Sequence, residues 1–453
     1  MAMLLPIFLT LVLRACGADA GGTYALVADA GSTGTRVYLF RVNTSGDGKV
    51  QITDLGKGPA LSSFRDAPDT AADAVRPQLV KAKDEIPEAA HAAVGVSIFA
   101  TAGMRLVPAE VQQAIYSGLK KGLLQEDFPF NHDRLHARTI SGREEGIFAL
   151  IAANYLAKNL HATLEVSGKS LMGVLDLGGS STQVAAPPSL DAGDHLAHKL
   201  GSEHTFVRSF LKLGMERMRQ RTFQRFLDAA APALRERRAV PNPCSFYGYR
   251  EEGEAWRGTG HAAACEEAVA AELEAEKESC ASLAAGAAAG AAAPECLGAS
   301  PVPTPQGPAS AARFFLISGY LYVTDFARWW LDQPGVRTSS LQVPQEPSTF
   351  TTPSIAELRE AAAVLCAEPW EGLSAAALDP ARKHRFTGPH KVPHRCFELN
   401  YIIALLSVGY GFSPTEKLFR IVEDIEGREI EWTLGAFLHS LASEGTNPAA
   451  QEL

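Results

Sequence analysis

One short pattern occurs twice in this chain, at 24–40 (YALVADAGSTGTRVYLF) and at 172–186 (MGVLDLGGSSTQVAA). Each copy is an apolar run, then Asp-x-Gly, then a loop of Gly, Ser and Thr, then a second run that reads as a strand. Asp29 and Asp176 lie 147 residues apart. The order strand–loop–strand is that of a phosphate-binding hairpin. It is not a P-loop, because no Gly-Lys-Ser/Thr ends it and no helix follows it. Gly31 and Gly34 permit a tight turn and close backbone approach. Ser32 and Thr33 offer hydroxyls and N–H groups to a phosphate, and Arg36 adds charge or braces the loop. In the second copy Gly178, Gly179, Ser180 and Ser181 would cradle another phosphate, while Asp29 and Asp176 would hold a hydrated divalent cation. One such loop alone reads equally well as a structural turn. Two in one chain, each behind an apolar strand, favour phosphate.

The 453 residues fit two domains, and an apolar content of 46% is enough for two cores. A formal charge of −9 argues against a nucleic-acid partner, which demands a basic face. A small polyanion needs only local cations. The N-terminal run at 4–13 followed by Ala18-Asp19-Ala20 reads as a signal peptide over 1–20. No other stretch resembles a membrane span, so a mature chain without a transmembrane anchor is expected, secreted or in the ER–Golgi lumen. Of seven cysteines, Cys16 falls in the signal; Cys244, Cys265, Cys280, Cys296, Cys366 and Cys396 remain. Six in an oxidising compartment suggest three disulfides, with fifteen pairings open. Asn43-Thr44-Ser45 is a glycosylation acceptor.

Hydrophobic patterning predicts a third strand near 50–52, a helix over 70–90 closed by Pro87, a buried strand at 94–100 and a helix from Pro108 to about residue 124. A long helix is expected over 143–160, and helical stretches over 205–238. An excursion at 239–310 holds four cysteines, an Ala/Gly run (284–293) and the Pro-rich PVPTPQGP (301–308). Residues 313–322 read as strand, 355–366 and 397–406 as helix, and a last helix opens near Glu431. This alternation fits an α/β fold. His384, His390 and His394 read as solvated loop groups, and Trp329 and Trp330 as core or contact residues.

Hydrolysis of a phosphate ester or anhydride needs an activated water, and a carboxylate at a helix start is the natural base. Glu144 and Glu145 both qualify, pointing about 100° apart on a helix. Ser181, Gln183 and Thr101 could position the same water. No Ser-His-Asp set or cysteine nucleophile stands out, which favours direct attack by water.

The motifs DAGSTGTR (29–36), ATAGMR (100–105), SGREEG (141–146) with ANY (153–155), DLGGSSTQ (176–183) and WTLGA (432–436) resemble those of the apyrases, the nucleoside triphosphate diphosphohydrolases of the actin-like phosphotransferase superfamily. NPCSFYGY (242–249) is also similar. The resemblance spans about residues 23–440. It implies two actin-like (ribonuclease H-like) lobes around a central cleft, lobe I from 21–160 plus 431–453, and lobe II from 161–430 with the disulfides. It implies release of terminal phosphate from nucleoside tri- and diphosphates with Ca²⁺ or Mg²⁺, by a monomer. Glu145 matches the family base; Ser181 and Gln183 match water-positioning residues; Ser32, Thr33 and Thr101 match the phosphate side, and Asp29 and Asp176 the metal side. The disulfides implied are Cys244–Cys280, Cys265–Cys296 and Cys366–Cys396. Leu150 stands where an aromatic residue is usual, and Ser180 where Ala or Gly is. A lumenal diphosphatase preferring GDP or UDP would carry the same motifs. A binder of nucleotide or carbohydrate on the same scaffold would have no need of Glu145.

Overall fold

The computed structural model describes residues 22–42, 50–125, 128–200, 205–285, 295–305, 312–333, 336, 351–422, 424–425 and 428–446. The signal segment, Cys16, Asn43, most of the Ala/Gly run and the end of the Pro-rich stretch lie outside them. The chain is α/β and forms two compact units. Unit 1 takes the described residues within Met1–Leu171, Pro187–Val207 and Asp424–Leu453; unit 2 takes Met172–Ala186 and those within Arg208–Glu423.

Unit 1 is built on a five-stranded sheet of order β3-β2-β1-β4-β5. Its strands are β1 (Thr23–Gly31), β2 (Gly34–Val42), β3 (Val50–Gly58), β4 (Gly95–Ala100) and β5 (Leu135–Thr139). The first three form an antiparallel meander; β4 and β5 run parallel to β1. Leu26, Ala28, Val37, Leu39, Val96 and Ile98 face a core completed by α1 (Arg76–Glu85) and, after the short α2 (Ala102–Arg105), by α3 (Ala109–Leu124). Ile115, Leu119 and Leu123 of α3 recur at helical spacing and bury completely or nearly so. The opposite face carries α4 (Gly142–Leu156) and the last helix, Trp432–Thr446; Phe437 of that helix stacks on Phe40 of β2 at 5.0 Å between centroids.

Unit 2 repeats the plan. Its sheet contains β6 (Gly173–Leu177), β7 (Ser181–Ala186) and β8 (Phe206–Leu211); after the small pair β9 (Val240–Asn242) and β10 (Trp256–Gly258), it is completed by β11 (Phe314–Ser318) and β12 (Phe419–Ile421). The order is β12-β11-β6-β7-β8. Again a hairpin opens the sheet, and the later strands run parallel on the other side of its first strand. The repeated motif is therefore the first hairpin of each of two sheets with the same strand order.

Several local expectations are corrected. The helix expected over 70–90 is a 3-10 segment (Pro68–Ala74) followed by α1. Pro77 sits in the first turn of α1, where its missing N–H is tolerated, and it cannot continue a helix from before. The helical reading of 205–238 fails at its start, since β8 precedes α5 (Met215–Ala229). Val207 and Phe210 are buried there, and Gly214 separates the two elements. The strand at 313–322 stops at Ser318, where α7 begins after α6 (Ala262–Ala285); α7 spans Gly319–Leu331. His384 and His394 are buried, not solvated: His384 hydrogen-bonds Asp325 through Nε2 at 3.0 Å and Thr387 through Nδ1 at 2.9 Å.

Two of the three disulfides differ from those the resemblance implied. They are Cys244–Cys265, Cys280–Cys296 and Cys366–Cys396. The reason is the length of α6. Cys265 lies in its first turn and Cys280 near its end, so about 22 Å of helix separates them. Cys244 meets the start of α6 and cannot also reach its end.

Candidate active site

In unit 1 the loop of the first hairpin is only two residues, Ser32 and Thr33. The segment after β4 presses onto it. The Thr101 amide donates to the Ala30 carbonyl at 3.2 Å, and a Cβ at Gly103 would fall 2.8 Å from the Ser32 Cα. Only glycine allows that approach, so Gly103 of ATAGMR packs directly on Ser32. Asp29 sits across from Arg36 in the β1–β2 register. Arg36 turns to its own strand and to the sheet's surroundings: Nη1 donates to the Tyr38 hydroxyl at 3.3 Å and lies 3.6 Å from Glu431, and Nε lies 3.7 Å from Asp54.

The two glutamates of SGREEG separate by role. Glu144 closes a capping box with Ser141: its carboxylate accepts from the Ser141 amide, and the Ser141 hydroxyl accepts from the Glu144 amide. It also pairs with Arg138 at 2.7 Å. Burial raises the Glu144 carboxyl, but Arg138 and the capping bonds outweigh it, leaving it below the usual value. Glu145 points inward, 7% exposed, and its carboxylate is held by the Arg105 guanidinium. Arg105 is a site residue that sequence reasoning overlooked, although it ends a motif already singled out. Leu150 is fully buried in α4.

In unit 2 the second loop, Gly178 to Ser180, is braced from outside. The amides of Met215, Glu216 and Lys212 donate to the carbonyls of Gly178, Gly179 and Ser180 at 2.9, 3.0 and 2.8 Å. Gly214 makes that brace fit, because a Cβ there would lie 2.3 Å from the Ser180 amide nitrogen. The Gly178 amide donates to the Ser181 carbonyl at 3.0 Å and closes the turn over Gly179 and Ser180. Asp176 stands opposite Gln183 in register. The Gln183 side-chain amide donates to the Ser181 hydroxyl at 2.9 Å and to that of Ser209 at 3.3 Å. Thr182 donates to the Asp176 carbonyl at 2.7 Å. Burial pushes the Asp176 carboxyl up, against hydrogen bonds from Ser318 and the Leu177 backbone. Ser318 holds φ 56°, a left-handed conformation that a non-glycine residue seldom adopts. It is a second residue missed from sequence, and nothing local in ISGY signals it.

Each unit by itself offers a cation oxygen donors alone: the Asp29 carboxylate in unit 1, the Asp176 carboxylate in unit 2, and the hydroxyls of their own loops. These hard donors suit Mg²⁺ or Ca²⁺. Among the described residues no group of three or more His, Cys, Asp or Glu forms a cage for a metal ion. A buried aspartate raised by desolvation is a group that a nearby cation would stabilise in its charged form. One carboxylate in each unit suits an ion that keeps much of its water.

Among the described residues no helix is long and apolar enough to cross a membrane. The chain resembles the solved nucleoside triphosphate hydrolases of Neospora caninum, at 15% identity and a TM-score of 0.59 over 95% of each chain, a likeness of fold. It is 27% identical to the nucleoside-diphosphatase mig-23 of Caenorhabditis briggsae, covering 92% of this chain and 77% of that one. It is 28% identical to the guanosine-diphosphatase of Schizosaccharomyces pombe (94% and 74%) and 25% identical to probable apyrase 5 of Arabidopsis thaliana (92% and 81%). Residues 18–449 match a single family profile. On that match the chain belongs to the GDA1/CD39 (nucleoside phosphatase) family.

Proposed function

We propose that this protein is an apyrase: it releases the terminal phosphate of nucleoside tri- and diphosphates by direct attack of water, with Glu145 as the base. The observation that carries the reading is the inward Glu145 carboxylate, fixed by Arg105 of the segment that packs on the Ser32–Thr33 loop through Gly103, and separated in role from the capping Glu144. A binding module would have no need of a base.

The work divides by unit. In unit 1, Ser32, Thr33, Gly34 and Thr101 bind phosphate oxygens through amides and hydroxyls, Asp29 sits on the cation side, and Glu145 takes the proton from water. In unit 2, the amides of Gly179 and Ser180 bind phosphate, while the Gly178 amide donates to the Ser181 carbonyl at 3.0 Å and holds the turn; Ser181 and Gln183 orient the water, and Asp176 is a cation-side carboxylate. The Gln183–Ser181 hydrogen bond supports the positioning role, since it fixes both side chains at once. Ca²⁺ or Mg²⁺, when bound, neutralises phosphate charge and orients the leaving oxygen. Three disulfides support a secreted or lumenal setting.

A second reading, a diphosphatase preferring GDP or UDP, is favoured by one observation: two relatives that align with more than nine-tenths of this chain are named diphosphatases. Phosphate release from ATP, ADP, GDP and UDP, each with Ca²⁺, Mg²⁺ or EDTA, separates the two. Comparable metal-dependent rates on ATP and ADP establish the apyrase. Release confined to GDP or UDP establishes the diphosphatase. No release from any of them overturns both.

A further inference from the structure

Lys57 lies on the phosphate loop of unit 1, put there by a register shift. The β2–β3 ladder pairs Tyr38 with Asp54 but Val37 with Gly56, so Leu55 is an extra residue, a bulge. Before it, odd-numbered residues of β3 share a sheet face with Val37 and Leu39. Beyond it the parity reverses, and Lys57 pairs with Arg36 and shares its face. The bulge is held by Asp54, whose Oδ1 accepts from the Gly56 amide at 2.7 Å, and by Lys81, which donates to the Leu55 carbonyl at 3.1 Å. Lys57, Arg36 and Asp29 thus stand in one row across three strands.

The row contains two cations, and they do different things. Arg36 is engaged by Tyr38, Glu431 and Asp54. Lys57 is exposed; its Nζ donates to the Thr33 hydroxyl at 3.5 Å, and its stem lies over Gly34, where a Cβ would fall 2.0 Å from the Lys57 Cε. The absence of a side chain at Gly34 is what admits the lysine to the loop. An ammonium beside a loop of amides and hydroxyls supplies the full positive charge that those dipoles lack.

We propose that Lys57 binds a non-bridging oxygen of the substrate's phosphate alongside Ser32 and Thr33, acting as the loop's cation in place of Arg36. This rests on the phosphate-hydrolase reading above. The test compares Lys57→Gln and Lys57→Arg with the parent and with Lys83→Gln, an exposed lysine of α1 away from the loop. Two readouts are taken: kcat/KM for ADP, and the Kd of inorganic pyrophosphate by calorimetry. A charge-assisted hydrogen bond at an exposed position predicts a loss of about tenfold in both for Lys57→Gln. Lys57→Arg should recover most of it, and Lys83→Gln should match the parent. Values for Lys57→Gln within about twofold of the parent on both readouts, the range of an ordinary surface change, overturn the inference alone. A parent that hydrolyses no nucleotide overturns the functional reading, while calorimetry still reads Lys57. A parent that neither hydrolyses a nucleotide nor binds pyrophosphate overturns both.

Discussion

The hairpins at Asp29 and at Asp176 share a strand order and a register, yet opposite kinds of bond hold them. Across from Asp29 stands Arg36, tied into a charged network with Asp54 and Glu431; across from Asp176 stands Gln183, tied to two neutral hydroxyls. Both turn over the same span, since each opposed pair lies seven residues apart, but the first loop is pressed by the segment after β4 and the second is braced by the start of α5. The two hairpins keep one scaffold and one aspartate and differ in the partners around them. Unit 1 holds the groups suited to moving a proton and countering charge. Unit 2 holds groups suited to orienting something neutral, such as water.

Glu145→Gln is the strongest test of that division, because it keeps the shape and removes the carboxylate proposed as the base in unit 1. Phosphate release should fall about a thousandfold in kcat. Retention of parental kcat would move the proton-accepting role elsewhere and break the contrast. Asp29→Asn and Asp176→Asn compare the two cation-side carboxylates. Each should cost roughly a hundredfold in kcat/KM and raise the Mg²⁺ or Ca²⁺ concentration needed for half-activity. If only one did so, the hairpins would not be functional equivalents. The opposing residues come next. Gln183→Ala should lower kcat about tenfold with a small change in melting temperature, whereas Arg36→Gln should act mainly on stability, by about 1–2 kcal/mol, with pyrophosphate affinity kept. The reverse pattern would mean that Arg36 serves phosphate after all.

The smallest effect concerns pH and unit 2. Burial, helped by Arg219 and Lys391, drives His394 down to about 3. In the unfolded chain a histidine takes its proton near 6.5. Between those values the unfolded state binds more protons, so stability rises with pH across the window and is lost as pH falls from about 6.5 toward 3. His394→Gln should flatten that loss, by about 1–2 kcal/mol at pH 5 relative to pH 7. Melting curves at the two pH values check it, and parallel curves for parent and variant would show that His394 is not the group responsible.

Both hairpins could be read from sequence because their signals are local: an apolar run, an aspartate, and glycines where the backbone must turn. The start of α4 was nearly as clear, since Ser141 and Glu144 spell a capping box. That same box is what distinguishes Glu144 from Glu145, a distinction that spacing alone left open. What could not be read depends on distant partners. Arg105 reaches Glu145 from another element, and the cysteine pairing depends on how far α6 runs. The bulge at Leu55 lay between these cases: Gly56 and Gly58 flank Lys57, and an isolated glycine in a strand pattern is a bulge signal. His384 was misread because its basic neighbours suggest a solvated loop, while its ring is enclosed by Phe326, Trp329 and Phe386.

The last helix has a consequence for biosynthesis. Trp432–Thr446 packs on α4, with Trp432 stacked on Phe148 at 6.4 Å, yet the ribosome makes it after all of unit 2. At ~10 residues per second, α4 waits on the order of half a minute for that cover. The unit begun first is therefore finished last, and a released chain ending short of residue 432 would hold all of unit 2 and a unit 1 whose apolar face is still bare, a natural target for chaperones.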